Sequence, residues 1–194
     1  MKKYGVLHTL SILCFIVFGM LALATGSPPI NYGEFRLRWI GEGRATIEFY
    51  FGSDTEIQIP SRVGDVEVVG ISRRAFADRG LTSVIFHYGI VFIGERAFAG
   101  NQLSSVTIPS SVYSIRREAF YGNRLTHVVI PDSVRTIGLD AFTGNPLVSI
   151  ITGEGTHVMS TPPQPDTFVW FYERQRRAAG KYTFSDGQWS FQPR

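Results

Sequence analysis

The sequence predicts a repeat solenoid. Its coils would stack on a short parallel sheet, with turns or short helices on the convex side. A β-hairpin would cap the N-terminal end, and a helix plus β-hairpin the C-terminal end. Three observations predict this. Ala-Phe recurs at Ala75-Phe76, Ala97-Phe98, Ala119-Phe120 and Ala141-Phe142, a constant step of 22 residues. Leu81, Leu103, Leu125 and Leu147 keep that step, as do Ile71, Ile93, Ile115 and Ile137, and Val84, Val106, Val128 and Ile150. The chain is 44% hydrophobic and 18% charged, the balance of a folding chain rather than a disordered one. A fixed period of about 20 to 50 residues marks stacked units: one coil cannot bury its apolar side alone, whereas a stack buries a continuous one.

The unit reads Leu-x-x-Val-x-Ile-Pro-x-x-Val-x-x-Ile-x-x-x-Ala-Phe-x-Gly-Asn-x. It is complete from Leu103, and the stretch through Ile130 carries the start of the next unit. Its Leu-x-x-Val-x-Ile opening is a leucine-rich-repeat strand pattern. The steps Ile108-Pro109 and Ile130-Pro131 and the Ala-Phe-x-Gly-Asn ending are more particular. Over about residues 56 to 152 the chain resembles the BspA-like class of bacterial leucine-rich repeats. The resemblance implies a non-enzymatic recognition protein, exported or surface-exposed, and leaves its partner unnamed.

In order along the chain, residues 1–24 pair Lys2 and Lys3 with an apolar run, Tyr4 to Leu23, and small residues before Ala24. This is the layout of a secretory signal peptide. The run is about 20 residues, so it is also long enough to anchor in a bilayer if uncleaved. Either way the remainder is expected to be exported: periplasmic, on the cell surface or secreted. Residues 25–54 hold a polar linker (Thr25 to Tyr32) and then two alternating runs, Glu34 to Ile40 and Ala45 to Phe51, around Gly41-Glu42-Gly43. They read as a hairpin that closes the open apolar end of the first coil.

Residues 55–152 are the repeats. The first unit carries a five-residue insertion around Val63-Gly64-Asp65-Val66, with a turn signal at its centre. Strands are expected at Ser83–Phe86, Ser105–Ile108, His127–Ile130 and Ser149–Thr152. The Ile-x-x-x-Ala-Phe run is expected to make about one helical turn that inserts Phe into the core, and Gly-Asn to turn the chain back through positive φ. Residues 153–166 are a proline-containing linker. In residues 167–194, Thr167 to Ala179 has helical character, and Lys181 to Phe191 is a hairpin turning at Asp186-Gly187. Tyr182, Phe184, Trp189 and Phe191 would share one face. They read either as a cap on the last coil or as platforms for sugar rings. The aromatic tail resembles that of some BspA-like proteins.

Composition narrows the function. Net charge is +3, of which Lys2 and Lys3 supply two, so the high pI does not indicate nucleic-acid binding. Arg174, Arg176, Arg177 and Lys181 form the most basic patch, read as a solvated helix face or a contact for an anionic surface. The one cysteine, Cys14, lies in the N-terminal apolar run, which rules out an intramolecular disulfide and a cysteine-ligated metal. His8, His87, His127 and His157 form no metal-spaced pair, no Gly-x-Ser-x-Gly elbow occurs, and no carboxylate pair is brought together by the repeat. No enzyme, cofactor or metal is expected.

Side chains alternate across a strand, so Val84, Val106 and Val128 point inward and their neighbours outward. The candidate binding face is therefore Ser83, Ile85, Ser105, Thr107, His127, Val129, Ser149 and Ile151. Its partner is expected to be a protein, with a glycan as the alternative, no nucleic acid, and membrane contact only through an uncleaved N-terminal segment. The runner-up role is a structural scaffold of the periplasm or envelope.

Overall fold

A computed structural model describes residues 30–153, 156–158, 175 and 178–194. The signal peptide lies outside the described residues, as does the helix expected over 167–179 except at Gln175, Ala178 and Ala179. Among the described residues there is no helix.

The chain opens with an antiparallel meander of β1 (Ile30–Tyr32), β2 (Phe35–Gly41) and β3 (Arg44–Tyr50). The hairpin is where the alternation placed it. The end of the expected linker, however, is strand: a turn at Gly33 lets Tyr32 pair with Phe35 and Ile30 with Leu37. The first coil contains β4 (Glu56–Gln58), β5 (Arg62–Val63) and β6 (Val66–Ile71). β5 and β6 form a small hairpin about Gly64-Asp65, which is the five-residue insertion. Then come β7 (Ser83–Ile85), β8 (Phe92–Ile93), β9 (Ser114–Ile115), β10 (His127–Val129), β11 (Thr136–Ile137), β12 (Ser149–Thr152), β13 (His157–Val158), β14 (Gly180–Ser185) and β15 (Gln188–Pro193).

The coils stack through two ladders, not one. The expected ladder pairs β4 with β7 and β10 with β12, all parallel. It is interrupted in the third coil: residues 105–108, expected to be strand, join neither pair. The second ladder is unbroken. It runs β3-β6-β8-β9-β11-β13 in parallel and carries Ile71, Ile93, Ile115 and Ile137. The repeat isoleucine thus sits in a strand rather than in a helical turn. Parallel strands in register place every equivalent side chain about 4.8 Å from the next along the axis.

That spacing organises the core. Phe76, Phe98, Phe120 and Phe142 form one face-to-face column, with ring centroids 5.0, 5.4 and 5.4 Å apart and planes within 6° of parallel. Tyr50 of β3 continues it at 5.5 Å from Phe76, and Phe35 closes on both rings. The cap therefore extends the repeat's own aromatic column. Burial first, then the Glu34 carboxylate, push the Tyr50 phenol above its ordinary value. It stays protonated and donates at 3.4 Å to Glu34 and to the Asp54 carbonyl.

The Ala-Phe segment is a series of tight turns. Arg96 has φ of 53° and Gly100 of 69°, which breaks any right-handed helical run. The N–H groups of Arg96, Phe98 and Gly100 consequently donate to the next coil, at Arg117, Ala119 and Tyr121 carbonyls. Arg74, Glu118 and Asp140 repeat the positive φ of Arg96 without a glycine to signal it. The repeat asparagine also departs from expectation. It does not turn the chain through positive φ. Its buried carboxamide bridges coils: Asn123 Nδ2 donates to the carbonyls of Phe98 and Phe120 at 2.9 and 3.1 Å, and its Oδ1 accepts from Leu103 N–H. Asn101 makes the same set one coil earlier, and Asn145 one coil later.

The C-terminal hairpin docks on the last coil as a cap. β14 pairs antiparallel with β12 and then with β15. Asp186 and Gly187 both have positive φ, 52° and 75°, as a two-residue hairpin turn requires. Tyr182 is fully buried against Phe191, and Phe184 packs on Trp189. The aromatic tail is thus part of the closing core.

Two substitutions test this core. Phe120→Ala removes the centre of the column and should cost about 3–5 kcal/mol in urea unfolding. Asn123→Asp keeps the shape but sets a carboxylate against two carbonyls. It should destabilise by roughly 2 kcal/mol or more at neutral pH. An acid disfavoured in its charged form has a raised folded-state pKa, so the loss should shrink as pH falls.

Candidate functional site

The expected ladder face exists in two segments. Ile85 and Val129 project outward from β7 and β10 and are 57% and 55% exposed. Thr107 and Ser105 are also exposed, but on the segment that joins neither ladder. His127 is exposed, with Nδ1 3.0 Å from the Thr126 hydroxyl. Ser83 and Ile151 are half-buried. Ser149 is a correction: it is 4% exposed, not part of an open face. It lies on an inner strand between His127 of β10 and Thr183 of β14, and both larger neighbours share its face.

In-register pairing extends this face beyond the residues read from the repeat. Gln58 pairs with Ile85 on one side. Ile151 pairs with Lys181 and Lys181 with Gln192 on the other. An apolar β-branched centre is therefore bounded at both ends by polar side chains. The period could not show this, because Lys181 and Gln192 lie outside the repeats.

The second ladder presents a different surface. Its outward side forms an open groove of about 950 Å³, reaching from Arg38 and Ile40 of β2 to Leu139 in the fourth coil. The floor carries Phe92, Ser114 and Thr136 from successive strands, and the Thr136 hydroxyl donates to Ser114 at 2.8 Å. Close backbone approach shapes it. A Cβ on Gly70 would overlap the Phe92 ring, and one on Gly138 would overlap the Arg116–Arg117 backbone. Glycine therefore lets Phe92 lie flat and lets consecutive coils meet. Arg116 rises from the coil between Gly94 and Gly138, and its guanidinium covers Phe92 at 5.2 Å from the ring centroid.

The groove's charges are unevenly matched. Glu48 serves both Arg36 and Arg38. The Arg36 contact, 3.2 Å from Nε, lacks hydrogen-bond geometry and is ionic only. Glu118 serves both Arg96 and Arg117, at 3.2 and 2.8 Å. Arg73 has Glu95 at 3.5 Å. Among the described residues Arg116 has no carboxylate partner. Sequence reasoning missed this groove, whose residues come from separate coils and from the cap.

No group of three or more metal-ligating side chains occurs among the described residues. No described helix is long and apolar enough to cross a membrane.

The pattern of the BspA type leucine rich repeat region matches residues 48–161 in six copies. The chain is similar in structure to a leucine-rich repeat protein from Bacteroides capillosus ATCC 29799, with 24% identity, 65% of this chain and 99% of that one covered, and a TM-score of 0.57. It is also similar to the T. pallidum leucine-rich repeat protein, with 19% identity, 77% and 95% covered, and a TM-score of 0.56. These likenesses concern the fold. None of the curated proteins matches the chain.

Gly138→Ala tests the close approach that shapes the groove. The added methyl meets backbone, which has nowhere to go, so the variant should lose about 1–3 kcal/mol by thermal or urea unfolding. Thr136→Ala, two residues away, should stay within about 1.5 kcal/mol.

Proposed function

The chain belongs to the BspA-type leucine-rich repeat family, and from that premise we propose that it is an exported protein that recognises a protein ligand through the face of its first ladder. The observation that carries this reading is the exposure of Ile85 and Val129, outward apolar residues on stacked coils. A β-branched side chain on a strand surface has propensity as one reason to be there. A centre of such residues with Gln58, Lys181 and Gln192 at its ends has the layout of a contact patch with an apolar core and a polar rim. His127 stands where Ser83 and Ser105 stand in other coils, and Thr107 where Ile85 and Val129 stand, so His127 and Thr107 would supply specificity. Binding would come from shape and buried area, with no chemical step. Adhesion to a host or to another cell surface would follow from such a face on an exported chain.

Two measurements test this. A triple variant, Ile85→Asp, Thr107→Asp and Val129→Asp, alters exposed positions and should fold. It should lose binding to host matrix or to bacterial surface proteins by at least about tenfold. Unchanged binding would refute the ladder-face assignment. Protease treatment of whole cells should degrade the chain if it is surface-exposed. Full protection would instead favour a periplasmic scaffold.

A further inference from the structure

We propose that the groove over the second ladder is a separate docking site, for an extended acidic segment of a protein partner whose carboxylates are held by Arg116. The argument starts from charge. Two of the nearby carboxylates, Glu48 and Glu118, are each shared between two arginines. Arg116 has none among the described residues, and it is exposed. Its guanidinium rests over the Phe92 ring at 5.2 Å, which favours one placement of its donors. A planar fork of that kind matches a carboxylate in a two-point contact. The Ser114 hydroxyl lies on the same floor; it accepts from Thr136 and keeps its own proton as a neutral donor beside the guanidinium.

Length and polarity define the occupant further. The groove crosses the strands from β2 to β11, five ladder spacings or about 24 Å. An extended peptide covers that distance with about seven residues at roughly 3.3 Å each. Ile40 and Leu139 stand at the two ends of the groove, and its charged lining is Arg38, Arg73, Arg116 and Arg117 against Glu48 and Glu95, an excess of positive charge. The fitting segment is therefore acidic in its middle and apolar at both ends. An anionic polysaccharide fits less well. Gly70 packs under one face of Phe92 and Arg116 covers it, so the ring is not open as a platform for sugar. The site is independent of the first-ladder face, which looks out from different strands.

The probe is a fluorescein-labelled peptide, Leu-Ser-Glu-Glu-Glu-Ser-Leu, titrated by anisotropy against the full chain at low salt. Controls are the same peptide with Gln for Glu, and a labelled polygalacturonate oligomer. The acidic peptide should bind at least about tenfold more tightly than its Gln counterpart, and the preference should fade toward 1 M salt. Arg116→Gln should remove that preference. Arg116→Lys should restore only part of it, because an ammonium cannot make the two-point contact. The Ile85→Asp and Val129→Asp changes should leave it intact, which separates this site from the first-ladder face. Equal binding of the Glu and Gln peptides would overturn the proposal, as would an unaltered preference in a folded Arg116→Gln chain. Tighter binding of polygalacturonate would overturn the peptide assignment.

Discussion

The spacing between consecutive coils is the quantity on which the rest of the molecule depends. Parallel strands sit about 4.8 Å apart, and the stacked phenylalanine rings sit 5.0 to 5.4 Å apart. The two distances nearly coincide, so one translation satisfies backbone and core together. The asparagine carboxamides hold the same step with hydrogen bonds from each coil to its neighbour, buried at Asn101 and Asn123 and part-buried at Asn145. A unit longer or shorter than 22 residues would move one of these columns out of line. The only tolerated excess within the repeats described here is the β5–β6 hairpin, which adds its antiparallel strand to β6 outside the aromatic column.

A stack held this way has two open ends, and each is closed by antiparallel strands. At the start, β3 enters the second ladder and its Tyr50 joins the aromatic column. At the finish, β14 adds to β12 of the first ladder and Tyr182 becomes fully buried. The caps thus sit on different ladders, and each creates part of a surface. The first brings Arg38 and Glu48 to the groove; the second brings Lys181 and Gln192 to the opposite face. Closing the ends and building the binding surfaces are done by the same strands.

Much of the fold was legible because the core repeats. Leu81, Val84, Ile93, Ala97 and Phe98 are buried for the reason their step suggests, and the turns at Gly64-Asp65 and Asp186-Gly187 lie where small and polar residues placed them. The second ladder was not legible: Ile-x-x-x-Ala-Phe has a spacing that suits a helical turn equally well. What decides against the helix is the positive φ of Arg74, Arg96, Glu118 and Asp140, and of these only aspartate is a type enriched in that conformation. The asparagine was assigned a turn because its type permits one, whereas its burial and its partners in two coils reveal a bridge. Of the candidate face, Ile85 and Val129 were readable from strand alternation. The burial of Ser149 was not, since it depends on a hairpin joining β12 from outside the repeats.

By itself, then, the amino-acid sequence determined the coil length, the inward residues, the two terminal hairpins and the outward parity of the first strands. These follow from local periodicity, which a chain carries whether or not it is folded. Tertiary structure alone decided that there are two ladders, that the first is interrupted at residues 105–108, and that Arg116 lies over Phe92 with no carboxylate partner among the described residues. Each of those depends on which residues of separate coils come within a few ångströms after stacking, and no spacing along the chain encodes that.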